Sequence, residues 1–308
     1  MGVSVLKALA LALRSAGNQK EAKEIQSRVA ELNAKLDEEF AKTAVSFRPA
    51  RPAGRRSGSD RVVLAELFTG ARCPPCVGAD VAFDAALQVY KPGQVVFLQY
   101  HVHVPGSDPL TCPAGEARMQ YYKEVGGTPS FVLDGKYLDE PVGGTMQRGE
   151  QSYSILRKAL DQAMEAESEA RLKLTARRNG DAIELHAEIT GLRRPGDQTR
   201  LRFALTEEVV HYVAPNGQRL HHHVVRGLPG GPGGFPLTEK TGKQDVSVNL
   251  VQLRKELGDY LSAVAKQQPF PDDERPMELR DLKAVAFIQD DVTRQVLQTA
   301  QVDVPPAK

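Results

Sequence analysis

The sequence predicts a mixed architecture: an α/β domain followed by an all-β sandwich, with a helical hairpin ahead of both. Three observations lead there. The apolar run RVVLAEL, the pair Cys73 and Cys76, and the helical spacing that follows describe a buried strand, an elbow and a helix. After Ser168 the apolar pattern changes to period two, the mark of half-buried strands. The stretch up to Phe40 is rich in alanine, leucine, glutamate and lysine and contains no proline. A chain of 308 residues has room for two cores, because single cores usually stop growing near ~250 residues.

Taken in order, residues 1–45 read as two helices broken at Ala16-Gly17-Asn18. Ala10, Gly17 and Ala22 fall where a tetratricopeptide repeat places its small residues, so the segment resembles one such unit. A helical hairpin docked on its own protein fits equally well. Residues 46–59 are basic and rich in proline and glycine, and read as a linker. Residues 60–168 hold the α/β domain: strand Arg61 to Leu67, helix Val77 to Tyr90, strand VVFLQYHVHV, a helix from Pro113 to about Glu124, strand Ser130 to Leu133, and a closing helix with Ile155, Ala159 and Ala163 on one face. In residues 169–308, Leu172 and Leu174 alternate with polar residues, Asn179-Gly180 supplies a hairpin turn, and Ile183, Leu185, Ala187 and Ile189 alternate again. With RLRFALTE, VVHYV, LHHHVV, DVSVNL, LKAVAFIQ and VLQTAQVDV, the segment predicts an antiparallel sandwich of immunoglobulin-like type that folds on its own. One helix carries Leu253, Leu257, Leu261 and Val264.

Forty basic against thirty-nine acidic residues, with no dense basic block, exclude nucleic-acid binding by field alone. The run VSVLKALALAL is interrupted by Lys7 and falls short of the ~20 residues that span a bilayer. It lacks the basic region of a signal peptide and reads as an amphipathic helix. Three cysteines are too few for a disulfide scaffold, so the C-x-x-C pair is chemical or metal-binding.

The motif Cys73-Pro74-Pro75-Cys76 after a strand, together with Thr128-Pro129 before strand SFVL, resembles the active site of the thioredoxin-like superfamily. The resemblance covers residues 60–168. It implies a cis-proline at Pro129 packed against the dithiol, a Thr128 backbone open to a substrate peptide, and thiol-disulfide exchange with protein or peptide thiols without a cofactor. It further implies a nucleophile at Cys73, a resolving thiol at Cys76, and the buried acid of this family at Glu66, although Glu66 lies seven residues before Cys73 rather than six. Members with an appended β domain belong to the bacterial envelope, which favours an extracytoplasmic site. The chain has no tryptophan, the residue that precedes the first cysteine in thioredoxins.

Elementary chemistry supports the same roles. Exchange needs a thiolate, and a cysteine at a helix N-terminus with Arg72 beside it ionises more readily than a free one. Two prolines stiffen the loop and withhold amide donors. The competing reading is a copper site built from the same cysteines with His101, His103 and Cys112; the other is a binding module without turnover. His221-His222-His223 cannot present three rings to one ion, because adjacent strand residues face opposite ways. His221 and His223 with His211 remain possible ligands, and His186 is expected on an outward strand face.

Overall fold

The computed structural model describes residues 2–55 and 58–307. Arg56 and Ser57, within the expected linker, lie outside the described residues, as do Met1 and Lys308. Two compact units emerge, Met1–Ser46 and Phe47–Lys308.

The first unit is a helical hairpin of α1 (Val3–Ser15) and α2 (Gln19–Thr43). Gly17, at φ +82°, ends α1: its N–H donates to Arg14 O and the Asn18 N–H to Leu13 O, at 3.1 and 2.9 Å. This is a Schellman termination, for which glycine is suited because it enters the left-handed region without a Cβ clash. Leu6, Ala10, Ala22 and Val29 form the buried seam.

The second unit begins with an extended segment laid along α5 (Gly149–Ala163). The Phe47 and Tyr153 rings are 5.8 Å apart, Tyr153 donates to Ala50 O, and Ser59 Oγ donates to Ala166 O at 2.7 Å. The described part of the expected linker is therefore packed. On α5 the buried face is Ser152, Tyr153, Leu156 and Leu160, one position away from the expected stripe, because Tyr153 meets this segment.

Among the described residues, nine strands join one mixed sheet and three form a separate antiparallel sheet. The mixed sheet begins with β1 (Val63–Thr69), β2 (Val95–His101), β3 (Ser130–Leu133) and β4 (Lys136–Tyr137), with α3 (Cys76–Leu87) between β1 and β2 and α4 (Pro113–Tyr121) after β2. β1 and β2 pair in parallel and are buried at every residue. That is why they read as continuous apolar runs.

The expected boundary at 168/169 does not separate two sheets. β7 (Gly196–His211), β8 (Leu220–Gly227), β9 (Phe235–Leu237), β11 (Leu282–Asp290) and β12 (Val296–Asp303) extend the same sheet in the order β12-β11-β7-β8-β2-β1-β3-β4, with β9 on β7. The junction is the parallel pairing of Gln99 with Val224. Only β5 (Arg171–Asn179), β6 (Ala182–Thr190) and β10 (Gly242–Asn249) form the second sheet, and α6 (Leu250–Gln267) follows β10. The independent sandwich is thus corrected. One core contains Leu64, Phe68, Val96 and Leu98 of β1 and β2 together with Ala204, Val225, Val285 and Phe287 of β7, β8 and β11. The opposite faces of β7 and β11, with Leu201, Phe203, Ala284 and Ile288, pack on Ile183, Leu185, Ala187 and Ile189 of the three-stranded sheet.

Candidate functional site

Cys73 and Cys76 form a disulfide, with their α-carbons 5.3 Å apart. The loop Gly70 to Pro75 carries it from the end of β1 into α3. The Cys73 N–H donates to Gly70 O at 3.0 Å and the Cys76 N–H to Cys73 O at 3.2 Å, so two tight turns precede the helix. The helix begins at Cys76, with Pro75 as its N-cap residue. Cys73 therefore stands ahead of the helix rather than at its first position. It is also 2% exposed, and Cys76 is fully buried. Pro74, Pro75 and Arg72 form the exposed surface of the loop.

The Thr128–Pro129 bond is cis, as expected, and so is Val104–Pro105. Cys73 Sγ lies 3.7 Å from Thr128 O. Two glycines that the sequence reading missed hold the other side. The Gly144 N–H donates to Pro75 O at 2.6 Å and the Gly78 N–H to Gly144 O at 2.8 Å. A Cβ on Gly143, at φ +136°, would lie 2.7 Å from Pro129 Cγ and 2.8 Å from Pro75 O. Glycine is required there by both conformation and space. The only signal in the sequence was the pair itself, Gly143-Gly144.

Glu66 does not serve the dithiol. It shares a face of β1 with Leu64 and Phe68, whereas Thr69, on the alternate face, bonds to α3. Arg118 of α4 grips the Glu66 carboxylate with two bonds of 2.7 and 3.0 Å, Tyr122 OH donates to it at 2.6 Å, and Gln289 of β11 accepts from Arg118 at 2.8 Å. It is a buried ion pair that ties β1, α4 and β11 together.

The acid near the disulfide is Asp80, one turn beyond Cys76 and so on the same face of α3. Its Oδ1 accepts from Thr69 Oγ1 at 3.0 Å and from Gln99 Nε2 at 3.2 Å. Burial, reinforced by the charge of Asp84, pushes its carboxyl well above the usual range despite the bond from Thr69. The unfolded chain loses this proton near pH ~3.9, so the contribution of Asp80 to stability is complete below that pH and declines as pH rises toward the folded-state value. Asp80→Asn keeps the acceptor and removes the titration. Its melting temperature should gain on that of the wild type as pH is raised from about 4 to about 7; parallel curves would show that Asp80 ionises normally in the fold.

The histidines are dispersed. His101 Nδ1 meets Asp108 Oδ2 at 2.8 Å and its Nε2 meets Gln99 Oε1 at 3.3 Å. Asp108 Oδ2 also accepts from the Ala71 N–H at 2.6 Å and so fixes the disulfide loop. Burial opposes ionisation of Asp108, but His101 and the amides of Ala71 and Leu110 outweigh it and lower its pKa. His103, beyond the end of β2, receives the Asp108 N–H at 3.0 Å and pairs with Tyr260 OH at 3.0 Å. Cys112 donates to Val225 O at 3.3 Å, and burial raises its pKa. His101, His103 and Cys112 are thus each engaged with other groups, the two histidines sharing Asp108.

His221 packs on His101, ring centroids 4.9 Å apart, and burial followed by His101 pushes it down to about 3. His222 binds Asp84 at 2.7 Å. His223 is buried with its Nδ1 unpartnered and is pushed down to about 3, chiefly by burial. His186 is bound to Asp245 at 2.6 Å on the outer face of the three-stranded sheet. Among the described residues, no group of three or more His, Cys, Asp or Glu is placed to hold a metal ion. No helix among them is long and apolar enough to cross a membrane.

No family model matches the chain, and no curated protein matches it either. Among solved structures it is similar to HBP35 of Porphyromonas gingivalis, with 13% identity, 82% of this chain and 78% of that chain covered, and a TM-score of 0.59. It is also similar to a domain of the outer membrane lipoprotein Omp28 from Porphyromonas gingivalis, at 15% identity over 46% of this chain and 92% of that chain, but the TM-score of 0.30 carries no argument. The first likeness shows a shared fold.

Proposed function

We propose that the chain is a thioredoxin-like thiol-disulfide oxidoreductase that exchanges the Cys73–Cys76 disulfide with protein or peptide thiols. The observation that carries the reading is the disulfide at the entrance to α3, with Thr128 O 3.7 Å from Cys73 Sγ. A substrate thiolate attacks Cys73 Sγ; the new S–S bond forms as the bond to Cys76 breaks, and the electron pair passes to Cys76 Sγ, which takes up a proton. Asp80 is the group we assign to hold that proton. A second substrate thiolate then attacks the substrate sulfur of the mixed disulfide, leaving an oxidised substrate and a reduced pair. In reverse the same steps reduce a substrate disulfide.

Dithiothreitol-coupled insulin reduction tests the proposal: activity that disappears in Cys73→Ser is expected. No turnover by a protein whose disulfide is intact would leave the binding-module reading in its place. We place the protein outside the cytoplasm, because many of the thioredoxin-like proteins with an appended β domain that it resembles belong to the bacterial envelope.

A further inference from the structure

The β7–β8 hairpin, expected in a separate domain, closes over the disulfide loop. At its tip the Asn216 N–H donates to Ala71 O at 3.1 Å, and Asn216 Nδ2 donates to both Gly70 O and Cys73 O at 3.3 Å. The remaining acceptor, Asn216 Oδ1, takes the Gln218 N–H at 3.1 Å. This last bond fixes the side chain in its own turn and aims the amide nitrogen at the loop. The strand pairs next to the tip are also fixed, through His222 to Asp84 of α3 and through His221 against His101.

We propose that Asn216 is a specificity-determining residue of the disulfide site, holding the hairpin tip as a wall that admits a cysteine in an extended, apolar segment and turns away a thiol on a folded surface. The inference rests on the redox reading above and adds to it a class of substrate. Attack on Cys73 Sγ must come nearly in line with the bond to Cys76. Thr128 O stands 3.7 Å from that sulfur, and the Asn216 tip bonds two carbonyls of the same loop, that of Cys73 among them. Cys73 is only 2% exposed, so a thiol reaches it only past the groups that surround the loop. The exposed residues of this loop and its neighbours are Pro74, Pro75, Val104, Pro105, Val213 and Pro215, all uncharged, and Arg72, the one charge among them. An extended strand with small apolar neighbours can lie along such a rim and bring its sulfur to Cys73. A convex protein surface meets the rim first.

The test compares how fast three reduced probes open the disulfide in the full chain: dithiothreitol, an uncharged pentapeptide with valine on each side of its cysteine, and a folded protein with one surface cysteine. Alkylation quenching and mass spectrometry read the rate. The pentapeptide should react faster than the folded probe in the wild type. In Asn216→Ala the ratio of folded-probe rate to peptide rate should rise about tenfold, or about 1.4 kcal/mol, because both Nδ2 bonds to the loop and the Oδ1 bond that orients them are lost. Asn216→Asp keeps Oδ1 for Gln218 and loses the donors, so it should reproduce the change, and it decides the matter if the alanine variant fails to fold. A ratio unchanged in both variants, or a wild type opened equally by all three probes, overturns the wall alone. A wild-type disulfide that none of the probes opens overturns the redox reading together with it.

Discussion

Cys76→Ser is expected to accumulate mixed disulfides with substrate thiols that disappear on reduction, while Cys73→Ser accumulates none. The asymmetry follows from position. Cys73 is flanked by the exposed Arg72 and Pro74 and touches Thr128 O, whereas Cys76 is fully enclosed at the start of α3. A partner can therefore form its bond only with Cys73. Removing Cys76 takes away the internal thiol that would release it. Cys112→Ser should change neither outcome, because its thiol is buried and bound to Val225 O. Equal trapping by both single variants, read on non-reducing gels, would reverse or abolish the assignment of roles.

The second large effect concerns the shared core. Residues 169–308 expressed alone should show no cooperative unfolding transition. Separation would bare Val225, Val285, Phe287 and Val296, all buried against β1, β2 and α4 in the intact chain. At ~1.5–3 kcal/mol for each large apolar side chain, the loss is on the order of 10 kcal/mol, comparable to the ~5–15 kcal/mol that holds a whole domain. In the full chain, Arg118→Ala probes the same junction, since it leaves Glu66 buried without its ion pair. It should cost about 3–5 kcal/mol in denaturant unfolding. A well-folded fragment together with a cost below ~1 kcal/mol for Arg118→Ala, the size of an exposed pair, would return residues 169–308 to independence.

Sequence pattern and structure part where strands meet that are far apart in the chain. β11 was read as one strand of a free-standing sandwich, but Ala284, Ala286 and Ile288 enter one core and Val285 and Phe287 the other. Burial on both faces removes the alternation that assigns a strand to one sheet. Glu66 was a reasonable acid by spacing, yet period two places it with Leu64 and Phe68, opposite the face whose Thr69 reaches Asp80. Asp80 itself looked like an ordinary helical aspartate. Nothing in its neighbours announces that Thr69 and Gln99 converge on it.

What the sequence determined by itself is local. The strand, elbow and helix around Cys73-Pro74-Pro75-Cys76, the two-helix hairpin turned at Gly17, and the β5–β6 hairpin with its Asn179-Gly180 turn all depend on spacing, turn chemistry and nearby partners. What only the tertiary structure decided is how distant segments complete the site: Gln99 against Val224, Asp108 on Ala71, Gly143 beneath Pro129, and Asn216 over Cys73. Backbone amides and carbonyls make most of these contacts, and every residue carries the same ones, so side-chain pattern cannot reveal which will meet. Folding selects them by burying the apolar faces around them, and the site takes its shape from that choice.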